Sequence, residues 1–447
     1  MSTFEQFNLP KSVQKAIDDL GFVTPTPIQE KSFSVIMSGR DMMGIAQTGT
    51  GKTFAYLLPL LKLYKFNVTH TPKLVILVPT RELVVQVVDE IEKLTKYMSV
   101  RTIGIFGGVN INTQKTNVYM GTDILVGTPG RTMDLALDNV IRFEETQKLV
   151  IDEFDEMLNL GFRTQLTALL AMMPVKRQNI LFSATMTDEV DAVLNDFFDY
   201  PEEVTLSASG TPLENIKQIT YNVPNFNTKI NLLKHLLATN EDMSRVLVFV
   251  NNKKISDMVF ERIEEDFEGE FGVIHSNKSQ NYRLTTMAEF QAGNLRGLIT
   301  TDIMARGLDI SNITHVINFE MPEAGELYMH RIGRTGRADK TGTAISFVTP
   351  REEESKVEVE VLMNMELDIE DFPEEVEISM KLIEPEKDRQ VIKFVRKKKP
   401  DGEGAFHDKA KKNTKVNLGG PSKTKKKTHG SVNRNMLKIR AAKKKKK

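Results

Sequence analysis

Short apolar runs alternate along this chain with longer stretches of helical periodicity. Met42–Ile45, Leu74–Val78, Ile124–Val126, Leu149–Ile151 and Ile180–Phe182 are near-continuous apolar segments, as expected of strands buried on both faces of a parallel sheet. Between them, Glu82–Leu94 places Leu83, Val84, Val87, Val88, Ile91 and Leu94 on one helical face. The alternation predicts an α/β fold in which helices cover both sides of a parallel sheet. It pauses at Ser207–Pro212 (SASGTP), whose small residues, Gly and Pro predict a linker. It resumes with Val246–Val250, Gly272–His275, Gly297–Thr301, His315–Phe319 and Thr343–Val348. Two domains follow from this, residues 1–206 and 217–370, joined by 207–216. The two halves show no evident similarity of sequence.

From Arg351 the chain turns acidic and helical (REEESKVEVEVLMNMEL), which reads as the closing element of the second domain. Pro373 and Pro385 interrupt what comes next. After Lys393 large apolar residues become scarce, so residues 371–447 are expected to form an extension and a disordered tail.

Charge sharpens this division. The 447 residues carry no net charge, yet 391–447 hold 21 Lys/Arg against 3 Asp/Glu, leaving 39 against 57 for the rest. A basic tail on an acidic body is expected to seek polyanions. The absence of cysteine excludes disulfides, thiolate metal ligands and cysteine nucleophiles, and fits a reducing compartment. No apolar run reaches the ~18 residues of a membrane span. The opening MSTFEQFNLP lacks a basic and apolar leader, so a cytoplasmic protein without a membrane partner is expected.

Ala46-Gln47-Thr48-Gly49-Thr50-Gly51-Lys52-Thr53 lies between the Met42–Ile45 strand and a helix. It matches a P-loop, with Ala46 in place of the usual first glycine. Such a loop turns backbone N–H groups toward a phosphate chain, Lys52 can reach the β/γ-phosphates, and Thr53 offers a hydroxyl to Mg²⁺. Asp152-Glu153 ends the strand Leu149–Ile151, where a P-loop ATPase places the carboxylate of its magnesium shell and the group that activates water.

Taken together, the segments resemble a DEAD-box RNA helicase across about residues 4–365. The first half holds Phe4, GFVTPTPIQ (Gly21–Gln29), the P-loop, PTRELVVQ (Pro79–Gln86), Gly107-Gly108, TPGR (Thr128–Arg131), DEFD (Asp152–Asp155) and SAT (Ser183–Thr185). The second holds Val248–Asn251, Gln280–Arg283, TTDIMARGLD (Thr300–Asp309) and HRIGRTGR (His330–Arg337). The resemblance implies two tandem RecA-like domains, ATP·Mg²⁺ in the cleft between them and RNA across both. It implies adenine reading by Gln29 and base packing by Phe22 and Phe4, though Phe4 reads equally as a core aromatic. By the same resemblance Arg334 and Arg337 are arginine fingers, and Asp309 is a ribose contact from the second domain. His330 would link that domain to Asp155, Ser183 and Thr185; a satisfied core histidine is the alternative. Arg81, Gly108, Thr128, Arg131, Arg283, Thr300 and Gly307 fall in motifs that touch the sugar-phosphate backbone.

The implied activity is ATP hydrolysis on RNA-induced closure, with local opening of short duplexes by a monomer. The alternatives are an ATP-gated RNA clamp that unwinds little and a DNA helicase of the same superfamily. The tail would tether RNA through its backbone, with a tilt toward ribosomal RNA or ribonucleoprotein; a solvated solubility tail is the alternative. One departure stands out: Phe154 occupies the third position of the DEAD motif. Either the neighbouring core has room for the ring, or coupling between ATP and closure is altered. Val84 departs more mildly, replacing the alanine of PTRELA.

Overall fold

The structure is a computed structural model that describes residues 3–46, 49–65, 69–206, 215–302, 312–336 and 341–387. Its first lobe is built on β1 (Met42–Ile45), β2 (Leu74–Leu77), β3 (Thr102–Ile105), β4 (Ile124–Gly127), β5 (Lys148–Ile151), β6 (Gln178–Ser183) and β7 (Glu202–Thr205). All pair in parallel, in the order β3-β4-β2-β5-β6-β1-β7. The second lobe comprises β8 (Ile216–Asn222), β9 (Val246–Phe249), β10 (Phe271–Ile274), β11 (Gly297–Thr300), β12 (His315–Asn318), β13 (Gly342–Val348) and β14 (Asp368–Ile369). Its order, β10-β11-β9-β12-β13-β8-β14, repeats that of the first lobe strand for strand. The chain therefore carries an internal repeat of topology that its residues do not advertise.

The central strands are fully buried, and apolar side chains on each face of a sheet feed separate clusters under the flanking helices. This double coverage is why the strands read as continuous apolar runs. Residues past the second sheet do not simply leave the fold. Phe372, Val376 and Ile383 pack against the second lobe's core. The helix Phe226–Thr239 and its cap Asn225 hold this segment with side-chain amides: Asn225 donates to Ser379 O (2.6 Å), Asn227 to Lys381 O (2.8 Å) and Asn231 to Glu377 O (2.8 Å). Residues 371–387 are thus a strap laid over the second lobe. The basic tail expected beyond it lies outside the described residues. Among the described residues, no helix is long and apolar enough to cross a membrane.

Sheet order also sorts the motifs. In a parallel sheet, ligands bind at the carboxyl ends of the strands. The loops after β1, β5 and β6 carry the P-loop, Asp152-Glu153 and Ser183–Thr185, and these strands are neighbours. The loops after β2, β3 and β4 carry Arg81, Gly107-Gly108 and Thr128–Arg131, and these strands are neighbours too. One sheet edge therefore gathers the nucleotide chemistry and the other gathers the residues read as polynucleotide contacts.

Candidate active site

Gly51 precedes the helix Lys52–Leu63 at φ +89°, a left-handed conformation that favours glycine, and a Cβ there would lie 2.5 Å from Gln29 Nε2. The loop is tied from below. Gln29 Nε2 donates to Gly51 O (3.2 Å), Gln29 Oε1 accepts from Thr26 N (3.0 Å), and Thr26 Oγ1 donates to Thr50 O (2.9 Å). The capping box that starts the helix Pro27–Ser38 is thereby also a brace for the P-loop.

Lys52 is buried and donates to Glu153 Oε1 at 2.9 Å. Burial alone would lower the lysine's pKa; the charges of Glu153 and Asp152 outweigh it and raise the value. Burial would likewise raise Glu153, but Lys52 beside it holds the carboxyl below the usual range. Asp152 is pushed up to about 6, first by burial and then, against the pull of Lys52, by the charge of Glu153. Glu153 itself sits at φ +55°, an unfavourable region for a side chain of its size, as the cap of the helix Phe154–Asn159. Its N–H donates to Asp152 Oδ1 at 3.0 Å, which holds the Asp152 carboxylate against the turn.

Phe154 is completely buried among Met157, Leu158, Leu166, Leu169 and other apolar groups of the first lobe. The core has room for the ring. Asp155 Oδ2 accepts from Thr185 N (3.0 Å) and Thr185 Oγ1 (2.9 Å), and Ser183 Oγ donates to Thr185 O (2.7 Å). Ser183, Thr185 and Asp155 therefore form one hydrogen-bonded unit behind the carboxylates.

The second lobe enters this site. Arg334 lines a cavity of about 290 Å³ with Lys52, Thr53, Asp152, Glu153, Gln29 and Phe22. It is buried, and its Nε donates to His330 O at 3.2 Å. His330 lines a neighbouring cleft with Asp155 and Thr185, and the Arg334 guanidinium helps lower Glu153. Phe4 packs at 5.9 Å from Phe7 in the core and also lines the cavity. Ala46, Gly49 and Thr50 complete the described part of the loop. Gln47, Thr48, Gly307, Asp309 and Arg337 lie outside the described residues.

On the other half of the first sheet, Arg81 lies against Gly107-Gly108, and a Cβ on Gly108 (φ +82°) would collide with its guanidinium. Thr128 precedes the helix Pro129–Leu137, and Arg131 Nη1 donates to Gln114 Oε1 at 2.8 Å. Arg81 and Arg283 meet through their motif neighbours Glu82 and Gln280. Arg81 Nη1 donates to Gln280 Oε1 (3.3 Å), Gln280 Nε2 to Glu82 Oε1 (3.2 Å) and Arg283 Nη2 to Glu82 Oε1 (2.7 Å). This polar bridge spans the two lobes. Thr300 is buried at the end of β11.

Arg331 lies inside the HRIGRTGR motif but had no role assigned. It is fully buried, donating from Nε and Nη2 to the two carboxylate oxygens of Asp302 (2.6 and 2.8 Å) and from Nη1 to Glu320 O (2.7 Å). The signal was its place between His330 and Arg334 in an arginine-rich run. A planar fork suits such a hub.

The class is set by these elements: an ATPase of two RecA-like lobes, with a P-loop and paired acids on one and an arginine delivered by the other. Comparison with known proteins agrees. Residues 26–193 match the DEAD/DEAH box helicase family, and 228–339 match the helicase conserved C-terminal domain. The chain is 40% identical over 353 residues to the DEAD-box ATP-dependent RNA helicase CshA of Geobacillus kaustophilus, covering 79% of this chain and 74% of that one. It is 38% identical over 352 residues to CshA of Bacillus subtilis, covering 78% and 70%. Yeast (S. cerevisiae) Dbp5 bound to RNA and ADP BeF3 superposes with a TM-score of 0.76 at 26% identity, over 83% of this chain and 95% of that one. The chain belongs to the DEAD-box ATP-dependent RNA helicases.

Proposed function

We propose that this helicase hydrolyses ATP when RNA and ATP together close its lobes, and that closure opens short duplexes locally or remodels RNA–protein complexes. The observation that carries this is Arg334 of the second lobe facing Lys52 and Glu153 of the first across one cavity. A triphosphate would meet Lys52 and the helix N-terminus from one side and Arg334 from the other. Lys52 has three N–H donors, so it can meet phosphate oxygens while still holding Glu153. Glu153 takes the proton of the attacking water, and Arg334, aided by Arg337, steadies charge on the transferring group. Gln29 keeps a second donor position on its nitrogen and a second acceptor position on its oxygen, which suits an adenine edge; Asp309 would meet the ribose.

The donor set fits Mg²⁺. Asp152 is a buried carboxylate beside Glu153, and both it and the Thr53 hydroxyl line the same cavity. Among the described residues no group of three or more His, Asp or Glu side chains forms a metal cluster. A Mg²⁺ held by one carboxylate and a hydroxyl would complete its shell with phosphate oxygens and water, as that ion usually does. When bound it would neutralise charge on the phosphates. The Asp155–Thr185–Ser183 unit and His330 would relay closure to the site.

RNA would run over the loops after β2, β3 and β4 and continue past Arg283, Thr300 and Gly307. The RNA in the Dbp5 complex supports the polymer class. Phe154 is accommodated in the core, so the ring by itself gives no reason to prefer a clamp over unwinding. The tail would tether RNA, ribosomal RNA or ribonucleoprotein among its targets, by backbone charge. The test is Glu153→Gln. ATP and RNA should remain bound while turnover is lost, and turnover at the parent rate overturns the assignment.

A further inference from the structure

The nucleotide cavity has one aromatic lining residue, Phe54, to which the helicase motifs assign no role. Phe54 is the third residue of the helix Lys52–Leu63, directly after the P-loop Lys52-Thr53 pair. It lines the cavity with Phe4 and Phe22. The Phe22 and Phe54 rings lie 5.4 Å apart at 76°, edge to face. Phe4 is almost wholly buried, whereas 51% of Phe22 is exposed. Phe54 is partly buried, its back against the first lobe's core.

We propose that Phe54 and Phe22 form an aromatic corner that grips the nucleobase, making Phe54 a determinant of nucleotide affinity beyond the phosphate-binding loop. The proposal rests on the reading that this cavity takes ATP. Phosphates would use the part of the cavity lined by Lys52, Thr53, Asp152, Glu153 and Arg334. A phosphate chain gains nothing from an apolar ring. An aromatic base gains stacking area, since every base presents a π-face and side-chain rings at right angles offer it both a face and an edge. Gln29, tied to Thr26 N and Gly51 O, adds polar recognition beside the two rings. The corner thus supplies grip and the carboxamide supplies choice.

The test uses the full chain with Phe54→Ala and Phe54→Leu. Leucine keeps the apolar contact with the core while removing the ring, so it reports even if the alanine variant folds poorly. RNA-stimulated turnover gives kcat and KM for ATP, and inorganic tripolyphosphate is titrated as a competitive inhibitor. KM for ATP should rise roughly ten-fold in both variants, with kcat and the inhibition constant of tripolyphosphate nearly unchanged. Phe54→Tyr should restore the parent KM. An unchanged KM for ATP overturns the proposal. So does a parallel loss of ATP and tripolyphosphate affinity, which would make Phe54 only a prop for the P-loop. Failure of the parent protein to bind ATP would instead overturn the reading of the cavity itself.

Discussion

Arg283 of the second lobe donates to Glu82 of the first at 2.7 Å, and both side chains are more than nine-tenths buried. A buried ion pair contributes little over an apolar isostere, but removing one partner strands the other, at a cost of about 3–5 kcal/mol. Glu82→Ala should therefore weaken closure rather than the folding of either lobe. Fluorescence energy transfer between dyes on the two lobes, with ATP and RNA present, should show the closing equilibrium reduced at least ten-fold. A closed population equal to that of the parent would mean that the bridge does not hold the lobes.

Phe154→Ala would restore the family's usual alanine, yet in this chain it should destabilise. The ring is fully enclosed by the first lobe's core, and emptying such a site costs about 3–5 kcal/mol. Thermal unfolding should show the loss, with Phe154→Leu intermediate. A gain in stability, or a change confined to RNA-stimulated turnover, would favour a coupling role for the ring.

Two truncations separate the strap from the tail. Ending the chain after Glu370 removes Asn225, Asn227 and Asn231's partners together with Phe372, Val376 and Ile383. It should lower the melting temperature on the order of 5–10 °C. Ending it after Lys387 should leave melting unchanged. The same shorter tail should weaken RNA binding and flatten its salt dependence, because 21 of the chain's cations lie in residues 391–447. Equal melting of the two truncated proteins, or an unaltered salt slope, would contradict these roles.

Much of this was legible in the sequence because buried parallel strands and phosphate loops leave strong local patterns. The ten strands expected from apolar runs are all present as β1, β2, β4, β5, β6, β9, β10, β11, β12 and β13. The four passed over lack that pattern. Thr102–Ile105 is partly exposed, Glu202–Thr205 carries charge at a sheet edge, Ile216–Asn222 is interrupted by polar residues, and Asp368–Ile369 is two residues long and exposed. The site residues on loops were found by motif. Glu82, Gln280 and Arg331 lie inside the same motifs but had no role assigned, because their roles come from partners distant in the chain. Phe54 escaped for the opposite reason, since an aromatic at the start of a core-packed helix looks like core. The strap hid behind its prolines and exposed apolar residues, which resemble a linker until the asparagine amides of Phe226–Thr239 are seen to meet its carbonyls.

The most direct test of the account is RNA-stimulated ATP hydrolysis by Arg334→Ala, with ATP binding measured in parallel. Arg334 reaches the cavity from the second lobe, and an arginine in that role is worth ~10³-fold or more in turnover. The account predicts a loss of that order with ATP still bound. Turnover near the parent rate would show that the phosphoryl group is cleaved without the second lobe.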